Sequence, residues 1–311
     1  MRRFSFVFGI ALSLLIGGCA RLPSTTITTL KPANTTELRD YLLSHKPDVD
    51  LFRSRGPFAV TSRKNQMIVL LDGEQVLADV YLSAPTQKSA LVVVLHGHEN
   101  SKADHAYQAW HVASWGLHSL ALQLPNTGPW VANGQTLARV VEYLYRRPEL
   151  IDPRVDPARI VLAGHSFGAA ATAIALAEGA PAAGAVLLDP ARVGKDLPTF
   201  LGRIKKPVLI IGADEERTHT RDRDNFFRYI RSGVGEVSIK DAVHDDAEYP
   251  AEIPVRWFGS ESEASEEMRI SFVSALTAAA FSLSATGKFD YAWASFGDAI
   301  KDGRMFNQKK K

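Results

Sequence analysis

Five short, continuous apolar runs constrain the fold more than any other feature of the chain: "ALVVVL", "LHSLALQL", "RIVLAG", "GAVLLD" and "PVLIIGA", all between residues 90 and 213. A half-exposed strand alternates apolar and polar residues, whereas a short run that is apolar at nearly every position suits a strand covered on both faces. Between the runs lie helical stretches, "HAYQAWHVASW", "GQTLARVVEYLYRR" and "FGAAATAIALAEG". Strands alternating with helices of this length predict an α/β fold, a mostly parallel central sheet with helices on both faces. Ahead of them "QMIVLL" and "QVLADVYLSAP" read as two strands joined by a turn at Asp72-Gly73, the second with one wetter face. After Ala251 the sequence reads as mainly helical, with "SEEMRISFVSALTAAAFSLSA" as its clearest amphipathic segment.

Composition agrees with such a domain. Hydrophobic residues make up 46% of the 311 and charged residues 23%, proportions that can bury a large core. The formal charge is +2 with no basic stripe, which argues against nucleic acid as a partner. The N-terminus is of another kind. "MRRFSFVFGIALSLLIGGCA" carries Arg2 and Arg3, an apolar run from Phe4 to Ile16 and then small residues. That is the layout of a secretory signal peptide, and the run is shorter than the about 20 residues that span a bilayer.

"LIGGC", Leu15 to Cys19, resembles the lipobox of bacterial lipoproteins, in which the cysteine is acylated and becomes the first mature residue. Cys19 is the one cysteine in the chain and has no partner for an internal disulfide. The resemblance implies a lipid anchor at Cys19 and, with Ala20 after it, a place in the bacterial cell envelope at the outer membrane. Residues 21–36, rich in Thr, Ser and Pro, read as a tether. A helix with Thr36 as its cap is expected in "TTELRDYLLSH", and the terminal Lys309 to Lys311 read as a frayed, solvated end.

Ser166 stands in "VLAGHSFGAA", where the run "RIVLAG" gives way to a helix. G-x-S-x-G at such a junction is a nucleophile elbow, in which Gly164 and Gly168 leave room for a tight turn that lifts the hydroxyl above the carboxyl edge of the sheet. An oxyanion hole needs two backbone N–H groups, and Phe167, directly after the serine, supplies one. "VVVLHGHENS" also carries two histidines spaced as in the H-x-H-x-D-H pattern of metal-dependent hydrolases. Asp104-His105 falls too late for that pattern and position 100 is Asn, so no metal and no cofactor is assigned.

The chain resembles the α/β-hydrolase superfamily, within it the dienelactone hydrolase, chlorophyllase and bacterial cutinase neighbourhood. The residues that carry the resemblance are "VVVLHGHENS", "DPARIVLAGHSFGAA", "GAVLLDPARVG" and His244 in "DAVHDD", over a span from about Met67 to Ser295. Ala169 stands where many members have a second glycine. The H-G pair at His96-Gly97 implies that His96 holds its loop and that the backbone of His98 is the second oxyanion donor.

The order of the triad in this fold, serine, acid, histidine, leaves His219 and His244 for the base. His244 follows the strand-like "EVSIKD", whereas His219 lies in the charged "ERTHTRDRD"; His244 is favoured. For the acid, Asp189 ends the apolar run "GAVLLD" and needs a fixed partner for its charge, and its position resembles that of the acid in chlorophyllases and platelet-activating-factor acetylhydrolases. Asp214, Glu215 and Glu216, after the next run, are the alternatives.

These residues predict a serine hydrolase that cleaves carboxylic esters of unknown size through an acyl-enzyme. A serine peptidase, a thioesterase and a non-catalytic binding lipoprotein are the other readings. The stretch 190–207, between Asp189 and Val208, is too short for a large cap domain. The expected layout is a lipoprotein signal peptide at 1–18, a tether and N-terminal extension at 19–61, an α/β-hydrolase domain at 62–300 and a basic tail at 301–311.

Overall fold

The computed structural model describes residues 32–84, 87–214, 223–231, 233–250 and 263–311. The lipobox with Cys19 and the candidates Glu215, Glu216 and His219 lie outside them. Strands β1 (Val60–Val69), β2 (Gln75–Ser83), β3 (Ser89–Leu95), β4 (His118–Gln123), β5 (Val155–His165), β6 (Gly184–Leu188), β7 (Val208–Gly212), β8 (Val234–Ile239) and β9 (Met305–Lys310) form one sheet. Their order is β1-β2-β4-β3-β5-β6-β7-β8-β9. Every pair from β4 across to β8 is parallel, and β1–β2, β2–β4 and β8–β9 are antiparallel.

The apolar runs are continuous because each face of the sheet has its own core. Leu91, Val93 and Leu95 of β3, Ile160 and Leu162 of β5 and Ile210 of β7 pack on one side, against α3 (Trp130–Arg146), α4 (Ser166–Ala177), α5 (Leu197–Leu201) and α6 (Arg223–Tyr229). The alternate residues Val92, Val94, Val161, Ala163, Leu209 and Ile211 pack on the other. That side carries α1 (Thr35–Ser44), α2 (Ala106–Ser114), α7 (Glu263–Thr286), α8 (Asp290–Ser295) and α9 (Gly297–Lys301). Successive side chains point to opposite faces of a strand, so a sheet buried on both sides demands an apolar residue at every position. Between β6 and β7 the one helix is α5, and no cap domain is inserted there.

Four local expectations change. Asn34, not Thr36, caps α1: its Oδ1 accepts the Glu37 N–H at 2.9 Å, and the helix packs Leu38 and Leu42 into the core, with Phe52 beyond it. The N-terminal extension therefore belongs to the domain from residue 34 on. The basic C-terminus is an edge strand, not a frayed end, since β9 pairs with β8 and Lys309 meets Asp224 and the buried Glu236. Lysines on an edge strand discourage further strand addition. Helix α3 begins at Trp130, ahead of the expected Gly134.

Helix α7 is buried around most of its circumference rather than along a stripe. Residues 266–286 are long and apolar enough to cross a bilayer but are mostly buried inside the fold; packing against the sheet, α2 and α8 accounts for their composition.

Candidate active site

Ser166 is the first residue of α4 and follows β5 directly, with φ of 55°. The left-handed region costs a non-glycine residue roughly 1–2 kcal/mol, so the turn is held by its surroundings. A Cβ at Gly164 would lie 2.5 Å from the Gly168 carbonyl oxygen, and one at Gly168 would lie 2.1 Å from the His96 carbonyl oxygen. Glycine at both positions lets strand, helix and the loop after β3 meet at van der Waals distance.

His244 opens the short 3-10 helix 244–247 beyond β8. Its Nε2 accepts the Ser166 hydroxyl at 2.9 Å, and its Nδ1–H donates to Asp189 Oδ2 at 2.6 Å. Asp189 stands just past β6, with φ of 36°, and its Oδ1 accepts the Ala213 N–H at 3.0 Å. The Arg223 Nε lies 3.4 Å from the same oxygen. Burial pushes the Asp189 carboxyl up, but the His244 hydrogen bond and charge and the Arg223 guanidinium outweigh it and hold it below the ordinary value. Burial likewise pushes His244 down, and Asp189 more than offsets this, leaving the imidazole above its ordinary value. Asp214 points elsewhere, to Lys240 Nζ at 2.6 Å and the Asp241 N–H at 2.9 Å.

Residues 92–301, from β3 to the end of α9, match the family model of the alpha/beta hydrolase family. The chain belongs to that family. No curated protein sequence matches it. In this hydrolase the segment before the match, β1 and β2, extends the sheet at one edge, and β9 extends it at the other.

The loop after β3 closes over the serine. A Cβ on Gly97 would lie 3.1 Å from Ser166 Cβ, so the backbone leading to His98 runs beside Ser166. The His98 and Phe167 rings meet edge to face at 5.4 Å, which sets the two expected oxyanion residues on neighbouring walls. His96 is fully buried; its Nδ1–H donates to the Gly97 carbonyl at 2.8 Å and its Nε2 accepts the Leu124 N–H at 3.2 Å. It pins the loop to the end of β4, the role that the family resemblance implied for it. Trp130, 9% exposed, stacks on Phe167 at 5.8 Å. A surface cleft of about 670 Å³ contains none of Ser166, His244 or Asp189; hydrogen bonding, not cleft volume, locates the site in this hydrolase.

Sequence reasoning gave no role to two groups of residues. Arg223 lies in a stretch read only as charged, and its guanidinium fits because Gly212 has no side chain: a Cβ there would lie 1.6 Å from Arg223 Nη1. Behind His244, His105, His165 and Glu248 converge, their ligand-type atoms within 4.8 Å of one another. The His165 ring lies against that of His244, the centroids 4.5 Å apart and the planes tilted by 43°. Burial pushes Glu248 up to about 7 and the imidazoles of His105 and His165 down to about 4 and about 3.

Proposed function

We propose that this alpha/beta hydrolase is a serine esterase that cleaves carboxylic esters through an acyl-enzyme on Ser166. The observation that carries the reading is the chain of two hydrogen bonds, Ser166 Oγ to His244 Nε2 at 2.9 Å and His244 Nδ1 to Asp189 Oδ2 at 2.6 Å. Ser166 attacks the ester carbonyl while His244 Nε2 takes the hydroxyl proton. The Asp189 carboxylate keeps the Nδ1–H tautomer in place and stabilises the imidazolium that forms.

The tetrahedral oxyanion is held by the N–H of Phe167, at the positive end of α4, and by the N–H of His98. His244 then passes its proton to the leaving alcohol, which departs. In the second half-reaction His244 draws a proton from water as the water attacks the acyl carbon, then passes it to Ser166 Oγ as the acyl–oxygen bond breaks, which frees the serine and the carboxylic acid. We further propose that Cys19 is acylated and tethers the enzyme to the bacterial outer membrane, the "LIGGC" stretch being the support.

Hydrolysis of p-nitrophenyl esters over a series of acyl chain lengths, with the tether removed, tests the esterase reading and ranks its substrates. Measurable turnover that vanishes in Ser166→Ala is expected; cleavage of peptide amides with no ester turnover would overturn it. Wild-type protein should incorporate labelled palmitate and Cys19→Ser should not. Absence of label in the wild type would make the chain an ordinary exported enzyme.

A further inference from the structure

We propose that His105, His165 and Glu248 form a binding site for a divalent transition-metal ion, zinc by preference. The ion would tie the nucleophile elbow to the segment after β3 and to the loop that carries His244. The argument rests on where the protons are. Gln108 Nε2 donates to the Ala247 carbonyl at 2.8 Å, which fixes the amide and turns Gln108 Oε1 toward His105 Nδ1. His105 therefore carries its proton on Nδ1 and a bare lone pair on Nε2. His165 Nε2–H donates to the His244 carbonyl at 3.2 Å, so its lone pair is on Nδ1. Glu248 Oε1, which accepts from Asn100 Nδ2, stands 3.0 Å from that Nδ1.

Three electron-pair donors thus face one another in the interior with no hydrogen between them. His105 Nε2 and His165 Nδ1 are buried and have no hydrogen-bond partner among the described residues, and both histidines are essentially fully buried. A buried acceptor without a donor is destabilising, because its hydration is lost and nothing replaces it. One proton on Glu248 would satisfy a single imidazole and leave the other bare, whereas one cation satisfies all three.

The donor set fits. Two imidazole nitrogens and a carboxylate oxygen suit zinc, at bond lengths of about 2.0–2.2 Å, and a 3.0 Å separation of two ligand atoms is compatible with such bonds. Each imidazole has its other nitrogen held by an acceptor, the arrangement that orients metal-bound histidine. Gly97 leaves the space open, since a Cβ there would lie 3.2 Å from His165 Nδ1 and 3.4 Å from Asn100 Nδ2.

The site reads on to His244 structurally, because His165 holds that residue's carbonyl and packs against its ring. It is distinct from the reacting atoms, so its role would be to position them.

The test is the zinc content of the full chain after dialysis against zinc, measured by elemental mass spectrometry, together with thermal melts in zinc and in chelator. His98→Ala serves as a control for surface binding. Expected are about one tightly held equivalent in wild type and in His98→Ala, its loss in His105→Gln and Glu248→Gln, and a melting temperature that falls on chelation in wild type but not in those two variants. Visible d–d bands of bound cobalt(II) should appear in wild type alone of these three. A wild type that binds no zinc and melts identically with and without chelator overturns the proposal, as does unchanged stoichiometry in both ligand variants. Metal content is read without turnover, so this outcome is independent of the esterase reading.

Discussion

Asp189 and Glu248 are both carboxylates 15% exposed at the side chain and both lie beside an imidazole, yet their charge states are pulled in opposite directions. Asp189 receives N–H donors from His244 and Ala213 and faces the Arg223 guanidinium, and its carboxyl is held below the ordinary value. Glu248 receives one amide N–H from Asn100 and otherwise meets imidazole lone pairs, and burial pushes it up to about 7. Equal burial does not make equal acids; the supply of donors decides which carboxylate is charged. A carboxylate fixed as an anion can orient and stabilise an imidazolium. One starved of donors needs a cation or a proton.

Several variants break or sharpen that contrast. Ser166→Ala should lower ester turnover by about 10⁶ with the melting temperature almost unchanged, because the hydroxyl is the only group removed; retention of a tenth of the wild-type rate would contradict the nucleophile role. Asp189→Asn should cost up to about 10⁴ in kcat, through the wrong His244 tautomer. Asp214→Asn, whose partner is the half-exposed Lys240, should stay near wild type. A reversed ranking would move the acid one strand later.

Arg223→Gln should lower kcat by much less than Asp189→Asn, because it removes one of the groups that hold the carboxylate as an anion, and an unchanged rate would show that the Ala213 N–H suffices. Glu248→Gln should have the smallest effect. In chelator its amide can donate to His165 Nδ1, so its melting temperature should match or exceed that of wild type, and a large loss there would mean that Glu248 is already charged and paired.

The acid limb of stability checks the same contrast by pH. Asp189 has a folded-state pKa below its unfolded value. Its stabilising contribution is therefore present above the unfolded pKa of about 3.9 and is lost as pH falls through the lower folded value. The stability difference between wild type and Asp189→Asn should shrink below about pH 4, and it should also shrink as pH rises through the raised pKa of His244, where the imidazolium that Asp189 stabilises is lost. A difference that persists unchanged at lower pH would place it in packing rather than charge.

The parts of this picture that were legible in the sequence are those set by local pattern. Buried parallel strands write continuous apolar runs, and the elbow writes its glycines at Gly164 and Gly168, because close approach of backbones admits nothing larger. Asp189 stood out because a charge at the end of such a run demands a partner, and its Oδ2 meets His244 Nδ1.

What depends on chain segments meeting from afar was not readable. Met305–Lys310 shows no strand pattern of its own and is a strand because β8 offers it an edge. Arg223 looks like one more solvated charge until Gly212 is seen to make room for it. His105 was set aside because it comes too late in the run that holds His96 and His98, yet its neighbours in space are His165, at the end of β5, and Glu248, in the loop after β8.

The most direct test of the central claim, that His244 and Asp189 make Ser166 the nucleophile, is the site and rate of labelling by a fluorophosphonate, read by peptide mass mapping. A single adduct on the peptide that contains Ser166 is predicted, absent in Ser166→Ala and formed far more slowly in His244→Ala and Asp189→Asn. Labelling of Ser166→Ala at the wild-type rate, or an adduct on any other residue, would contradict it.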